Sequence, residues 1–522
     1  MSSFGPLPGS SNASMTDTDV EQQQASSSPN LGQTAIELRV DPQAVKNQSN
    51  DANESGSNPN TVDWDGPDDP QNPLNWPDVR KWLNIGLISG LTFVTPLGSS
   101  MFAPGVPAIM VEFGESSSTM ATFAVSIYVL GFAFGPLLVA PLSETFGRAP
   151  VYNWGNVLFV IFSVATALSQ NMGMMLIFRF LMGLAGSVPV TIGSGSIADL
   201  MPVEQRGRAM AAWALGPLLG PCVGPVAGGY LIQATSWRWV YWVVAIVAGI
   251  FVPLSFLYLK ETCHPILLER KAARLRMETN NHNLRGKRDS IETPKEMWIA
   301  ALTRPLKLLF MTPIVTLMAF YVAIGYGILY LLLATFSFVY ADEYGFDEGE
   351  VGLTFLPAGI GMMFGVVTFV SLSDFMIKHW QAKGGEVTPE VRLTPALVMP
   401  CAIVLPVGLF IYGWSAEHRV HWIVPMLGVV VFSCGLMGVM ICVQNYLLDT
   451  YPRYAASVTA AVAVLRSLAG ALLPLGGLQM YDALGLGWGN SLLAFLSVAM
   501  IPLPLVFFVF GNRLRQLSNP KL

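Results

Sequence analysis

The chain has 522 residues, 52% of them hydrophobic and only 12% charged, with a mean hydropathy of +0.50. A soluble domain is about a quarter charged, so these values exclude a soluble globular protein and predict an integral membrane protein. The net charge of −5 hides a split, because residues 1–80 hold twelve Asp/Glu against three Lys/Arg, a balance of −9 that leaves +4 for the rest, and that spread provides no concentrated basic face for nucleic acid.

From Met1 to about Asn60 the sequence is Ser, Asn, Gln and Asp with scattered small residues. Such a composition cannot bury enough apolar surface to offset chain entropy, so residues 1–80 read as a disordered acidic tail. Its Asn-x-Ser sequons at Asn12, Asn47 and Asn53 are expected to stay unmodified if the tail is cytosolic. The N-terminus has no basic region followed by a short apolar stretch and a small-residue cleavage site, so the first span is expected to direct insertion. Asp68-Asp69-Pro70-Gln71-Asn72-Pro73-Leu74-Asn75-Trp76 is a turn-rich, amphipathic lead-in to the membrane.

Twelve apolar windows follow, near residues 83–103, 118–140, 151–169, 173–198, 208–233, 239–260, 309–340, 350–372, 393–414, 421–447, 455–478 and 488–511. Each is about 20 residues or more, enough to cross a bilayer core. The fold class is therefore an all-α membrane protein with twelve transmembrane helices in two six-helix halves. Residues 81–260 form the first half, 261–308 a central loop, 309–511 the second half and 512–522 a tail. Lys and Arg cluster on alternate connections: Arg80, Lys81, Arg148, Arg206, Arg208, the central loop, Lys378, Lys383, Arg392, Arg453, Arg513, Arg515 and Lys521, against only Arg238 and Arg419 on the others. The positive-inside bias predicts that both termini are cytosolic.

Leu142-Ser143-Glu144 after span 2 matches Leu372-Ser373-Asp374 after span 8, a faint internal repeat at equivalent connections; parallel repeats of this kind relate transporter halves about an axis along the membrane normal. In the central loop, Ile266 to Arg276 mixes apolar and basic residues and is expected to lie as a helix on the inner leaflet. Five cysteines, an odd number without metal-type spacing, predict neither a disulfide framework nor a metal site.

Span 5 carries the most unusual stretch, GPLLGPCVGPVAGG. Gly216, Gly220, Gly224 and Gly228 recur every four residues, with Gly229 beside the last, and Pro217, Pro221 and Pro225 follow three of them. A four-residue step turns a helix roughly 400°, so the glycines form a bare, slowly drifting seam that admits close helix packing. The prolines each remove an intrahelical donor and are expected to bend the helix. The seam is expected to abut a helix of the second half; packing alone is the plainer alternative.

Charge within the spans is sparse. Arg179 in span 4 and Arg466 in span 11 each cost on the order of 3 kcal/mol at mid-membrane, so each should face protein or water and have a partner, either as a functional group or as an anchor on helix carbonyls. At the inner connections, Pro141 to Pro150 places Glu144, Gly147 and Arg148 together, and Asp199 to Arg208 repeats the mixture. Tyr321, Tyr326 and Tyr330 in span 7, with Gln444 and Asn445 in span 10, are candidates for a central cavity suited to bulky, partly aromatic ligands; ordinary helix packing is the alternative. The middle of span 1 has no acid, and Glu144 and Asp199 are the acids beside the inner-connection arginines; if the chain couples transport to protons, these two are candidates only and the proton-carrying carboxylate is not identified.

The PLSExxGRxP stretch at Pro141 to Pro150, Arg179 followed by Gly183, the glycine-proline run, Asn72 to Trp76, Trp237-Arg238-Trp239, Lys260-Glu261-Thr262 with Pro265 to Leu268, and Leu448 to Tyr451 resemble the major facilitator superfamily, specifically its fungal twelve-span drug/proton antiporters. The resemblance covers roughly residues 70–512. It implies that Glu144 contacts the other half, that Arg148 is the loop arginine, that Arg179 takes part in proton coupling, and that the glycine-proline run marks an exporter. Ala140 and Ala149 depart from the usual glycine and second basic residue. The implied function is proton-coupled efflux of a hydrophobic metabolite, toxin or drug at the plasma membrane, of the cercosporin-facilitator type, by a monomer in the lipid bilayer with no cofactor. An azole or polyamine pump of the same family is the alternative, then an uptake carrier or a non-transporting receptor. With no GxxxxGK[ST], HExxH or GxSxG motif, neither ATP use nor an enzyme is expected.

Overall fold

A computed structural model describes residues 60–287, 294–382, 388–451 and 454–517. The segment up to Pro59, with the expected disorder and the three sequons, lies outside the described residues. Span 1 runs Asp78–Ser100 and continues through a tight turn at Ala103–Gly105 into Val106–Phe113; spans 2 to 6 are Ser118–Phe146, Arg148–Ala167, Met172–Leu200, Val203–Ala234 and Trp237–Tyr258. In the second half, span 7 is Pro313–Tyr344, span 8 is Glu348–Leu353 with Leu356–Ala382, span 9 is Pro395–Glu417 and span 10 is Ile423–Thr450.

The last apolar segment, Ala455–Gly511, is 57 residues long. At 1.5 Å per residue it would reach roughly 85 Å, nearly three bilayer cores, so it must fold back. Gly485 makes the turn with φ 76° and ψ 172°, a conformation open to glycine because it lacks a β-carbon. The Tyr481 hydroxyl consequently meets Asn490 Oδ1 at 3.2 Å, whereas nine residues of straight helix would separate them by about 13 Å. Leu486 and Gly487 then open span 12 by donating their N–H groups to Glu417 Oε2 at 2.7 and 3.2 Å. Eleven apolar segments thus make twelve passes, and the last helix, Pro502–Leu517, extends beyond residue 511.

Because successive spans alternate in direction, the Arg-rich connections share one face of the bundle, called here the basic face. At the opposite face the connections are short and capped: Ser117, Asn171 and Ser236 accept the N–H groups of Met120, Met174 and Arg238. Asp347 and Glu350 form a reciprocal capping box that opens span 8, satisfying donors that a helix start leaves free.

Span 5 is one 32-residue helix that runs through its three prolines. Its glycine seam lies against span 1, in the same half, which corrects the expectation that it abuts the second half. A β-carbon at Gly216 would come within 2.9 Å of Phe93 N, at Gly220 within 2.8 Å of Pro96 Cβ, and at Gly224 within 2.5 Å of Ser100 Oγ. Trp213 Nε1 donates to Thr92 Oγ1 at 3.0 Å along the same junction. The stripe beside the seam faces the second half: a β-carbon at Gly229 would lie 3.2 Å from Gly352 Cα, and one at Gly352 would lie 3.2 Å from Val226 Cα. Periodicity marks a bare face, but a helix with several neighbours has more than one buried face, and the glycines alone do not say which neighbour takes which.

The central linker is organised by the segment before span 1. Thr61–Val62 pairs in parallel with Arg285–Gly286, and the strap continues over the linker helix His264–Thr279. Lys271 donates to Asp65 Oδ1 at 2.7 Å and Asp69 Oδ2 at 3.2 Å, the Lys271 and Asp69 side chains being almost fully buried. The N–H groups of Asp65 and Gln71 hold the Asp69 carboxyl below its ordinary range, and Lys271 adds to them. Burial acts to push the Lys271 ammonium down, but its bonds to Asp65 and Asp69 outweigh that and raise it. Trp64 sets its ring edge-on to His264 at 5.8 Å, and Trp76 is buried with Ile197, Leu200 and Met201 at the foot of span 4. Residues 60–77 are therefore built into the fold, which corrects the expectation of disorder for that part of the chain.

Candidate functional site

At the basic face, Gly147 takes φ 101° between spans 2 and 3, so that the start of span 3 points at Glu261 from the end of span 6. Glu261 Oε1 accepts the N–H groups of Arg148, Thr262 and Cys263 at 2.8, 3.0 and 2.9 Å, and Oε2 accepts that of Ala149 at 3.3 Å. A carboxylate at a helix N-terminus satisfies free donors and complements the helix dipole. Ala149 is buried beneath it, and this explains the departure from a second basic residue there. The Arg148 guanidinium reaches Ser143 Oγ at 2.8 Å and Asp199 Oδ2 at 3.4 Å. His264 contacts the Asp199 carbonyl at 3.1 Å, which joins this cluster to the linker helix. Glu144, by contrast, is exposed and makes no hydrogen bond or ion pair with the described residues.

The second half repeats the arrangement. Arg392 reaches Ser373 Oγ at 3.0 Å and Asp449 Oδ2 at 3.0 Å. Ser143, Arg148 and Asp199 thus correspond to Ser373, Arg392 and Asp449. The paired tripeptides after spans 2 and 8 signalled one point of this repeat. The arginines escaped comparison because Arg148 follows its serine by five residues, whereas Arg392 returns nineteen residues after Ser373. Glu261 was missed as a partner because nothing local reveals an acceptor 113 residues from its donor.

Arg179 is wholly buried inside the first half. Its three nitrogens donate to Ala124 O at 2.8 Å, the Tyr241 hydroxyl at 2.7 Å and Ser99 O at 3.2 Å, and the guanidinium lies 3.6 Å from the centre of the Phe102 ring. Its partners are neutral, and they tie spans 1, 2, 4 and 6 together.

Arg466 is placed differently. Its guanidinium stands 4.9 Å from the Tyr326 ring centre, and the Tyr326 and Tyr330 hydroxyls are 3.5 Å apart. All three side chains are partly exposed. Of the remaining cavity candidates, Tyr321 is buried in the second-half core near Cys401 and Cys442. Gln444 donates to Thr459 Oγ1 of span 11 at 3.1 Å, and Asn445 is half-buried beside it near the basic face. The structure brings Tyr326, Tyr330 and Arg466 together and leaves Tyr321 outside that group. The five cysteines are free, and no group of three or more metal-ligating side chains occurs among the described residues.

At the opposite face the halves are joined by Gln233 to Asp347 at 2.8 Å, Gln479 to Thr119 Oγ1 at 2.8 Å and Ser337 to Ala103 O at 2.8 Å. Two bundles with repeated arginine clusters at one face and cross-links at the other have the form of a transporter in which one half rocks against the other.

The comparisons with known proteins agree with this geometry. The family model "Major Facilitator Superfamily" matches residues 88–474. The chain is 50% identical over 473 residues to "Efflux pump radE" of Floropilus chiversii, covering 90% of this chain and 87% of that one. It is 49% identical over 468 residues to "MFS-type transporter penM" of Penicillium rubens, covering 90% and 91%. Among solved structures, a D-xylose-proton symporter superposes with a TM-score of 0.60 at 15% identity, covering 82% of this chain and 97% of that one. That likeness speaks for the fold alone. Twelve passes in two halves, the repeated arginine clusters and a family match across most of both halves lead to one conclusion: the chain belongs to the major facilitator superfamily, as a multi-pass membrane transporter and not an enzyme.

Proposed function

We propose that the protein is a proton-driven exporter of a hydrophobic small molecule, of the kind fungi make as secondary metabolites, toxins or encounter as drugs. The observation that carries this reading is the 50% identity, over nearly the whole length, to a protein described as an efflux pump. The reading places the basic face and both termini in the cytosol, on the positive-inside bias, and the protein in the plasma membrane as a monomer. One proton entering down 100 mV supplies roughly 2.3 kcal/mol before any pH gradient, so the cycle needs neither ATP nor a bound cofactor. Asp199 is the acid best placed to carry the proton, since its partial burial favours the neutral form once the pairing with Arg148 is broken during the cycle, whereas Glu144 is exposed. Arg179 takes part in coupling by holding spans 1, 2, 4 and 6 in register. A polyamine pump is disfavoured because Arg466, beside Tyr326 and Tyr330, repels a polycation.

Accumulation of a panel of polyketides, azoles and polyamines in cells with and without the gene tests the reading. The expected result is lower accumulation of hydrophobic compounds when the gene is present, abolished by a protonophore. Export that persists without a proton gradient and stops only on ATP depletion overturns the coupling, and higher accumulation with the gene present overturns the direction.

A further inference from the structure

We infer that Arg466, with Tyr326 and Tyr330, recognises an acidic group on the transported molecule, so that the substrate is an apolar, ring-bearing organic anion. The inference deepens the export reading and rests on it in one respect, that the space between the halves is the substrate's path.

Arg466 is eleven residues into the helix that begins at Ala455, about 16 Å at 1.5 Å per residue and so near the middle of a ~30 Å core. It makes no ion pair among the described residues, and its Nε is buried without a hydrogen-bond partner. Arg179 shows what an anchoring arginine looks like in this fold, with acceptors for Nε and both terminal nitrogens. Arg466 has no such set.

The helix face that carries it looks inward. Gly470, one turn along, would place a β-carbon 3.1 Å from Tyr326 of span 7 and 3.4 Å from Val129 of span 2. The partial exposure of Arg466, Tyr326 and Tyr330 is therefore exposure to an internal space where the two halves meet. Apart from Asp374, the acidic residues of the spans sit close to a helix end or to the turn at Gly485, and among the described residues none pairs with the guanidinium.

An uncompensated charge in a low-dielectric site is its strongest recognition element. The guanidinium fork matches a carboxylate in two parallel hydrogen bonds and tolerates desolvation better than an ammonium. The tyrosine hydroxyls add donors, and the ring pair, with centroids 4.9 Å apart, offers an apolar face for a ring system. A carboxylate, or an enol or phenol ionised at neutral pH, meets all three features, whereas a cation meets repulsion.

The test uses the full chain in lipid nanodiscs with pyrenebutyrate and its neutral isostere pyrenebutanamide, binding being read by energy transfer from tryptophan to pyrene with empty nanodiscs subtracted. The carboxylate is expected to bind at least about tenfold more tightly than the amide. Arg466→Gln should bring the two within about twofold, and Arg466→Lys should retain part of the preference. Equal binding of both probes to the unaltered protein, a preference unchanged in Arg466→Gln, or no saturable binding of either probe overturns the inference. The comparison of probes on the unaltered protein stands whether or not the variants fold. No gradient is present, so failure here leaves direction and proton coupling to the cell assay, and failure there leaves this result standing.

Discussion

Arg148 and Arg392 hold the same two kinds of partner, a serine hydroxyl and an aspartate, yet their surroundings differ. The Arg148 and Asp199 side chains are 17% and 21% exposed, against 23% and 45% for Arg392 and Asp449. A pair shielded from water is screened less, and its members are costlier to leave unpaired. Arg148 is also tied through its backbone to Glu261, so its loop is fixed from both sides. Arg148→Ala is expected to cost about 2–3 kcal/mol and Arg392→Ala about 1 kcal/mol or less, since hydrogen bonds to charged groups contribute about 1.5–3 kcal/mol where water is excluded. Thermal unfolding of the two variants in detergent should order them that way; equal shifts would mean that burial does not distinguish the latches. Arg179→Lys probes the anchor of the first half. One ammonium cannot replace a guanidinium bonded at all three nitrogens, and a loss of about 2–4 kcal/mol is expected in the same assay.

Helices in this fold meet along glycine faces, and the sequence of span 5 shows which positions are bare without showing what covers them. Substitution at Gly224 meets Ser100 and the Met101 backbone, whereas Gly207 in the same helix has open space around it. Gly224→Leu should therefore destabilise the junction with span 1 by at least about 1–3 kcal/mol through overpacking, while Gly207→Ala is neutral or slightly stabilising because alanine favours the helix. Unchanged expression and melting in Gly224→Leu would count against the close approach. The contrast sets the limit of what was legible. Span number and the rare membrane charges could be read because hydrophobicity is a local property, and the hairpin near Gly485 showed as the gap between two apolar windows. The partner of the seam, the role of Glu261 and the order of residues 60–77 depend on segments far apart in the chain. The strap is a case in point, since polar residues that suggest disorder are satisfied here by Lys271 and by backbone donors. Its pH response has a definite sign. A carboxyl held below its ordinary value stabilises above the unfolded pKa of 3.8 and loses that contribution as pH falls through the folded value. An ammonium held above 10.5 stabilises below that value and loses its contribution as pH rises through the raised one. Between about pH 5 and 9 the Asp69–Lys271 contact should be unaffected. Limited proteolysis of the strap should be constant across that window, increase below about pH 4, and increase at neutral pH in Asp69→Asn by an amount matching a loss of about 2 kcal/mol.

The whole molecule must alternate between closing one face and closing the other, and contacts that join the halves at one face must break in part of the cycle. Gln233 to Asp347 is the most accessible of these contacts, lying on the exposed ends of spans 5 and 8. Nearby, Gly229 and Gly352 let the two helices touch without side chains between them, so small rotations of one half open the contact without unpacking a core. Removing the hydrogen bond alone should change little: a loss of about 1 kcal/mol shifts a two-state balance by roughly fivefold, toward the form open at this face. Holding the contact shut is a stronger intervention. Gln233→Cys with Asp347→Cys, bridged through two disulfides by a short bis-methanethiosulfonate, should stop transport, and a reductant that cleaves those disulfides should restore it, while either single cysteine treated the same way retains activity. Transport at an undiminished rate by the bridged protein would show that these ends stay together throughout the cycle. The halves would then have to alternate by bending within span 5, where Pro217, Pro221 and Pro225 each omit a backbone hydrogen bond, and not by separating at the glycine contact.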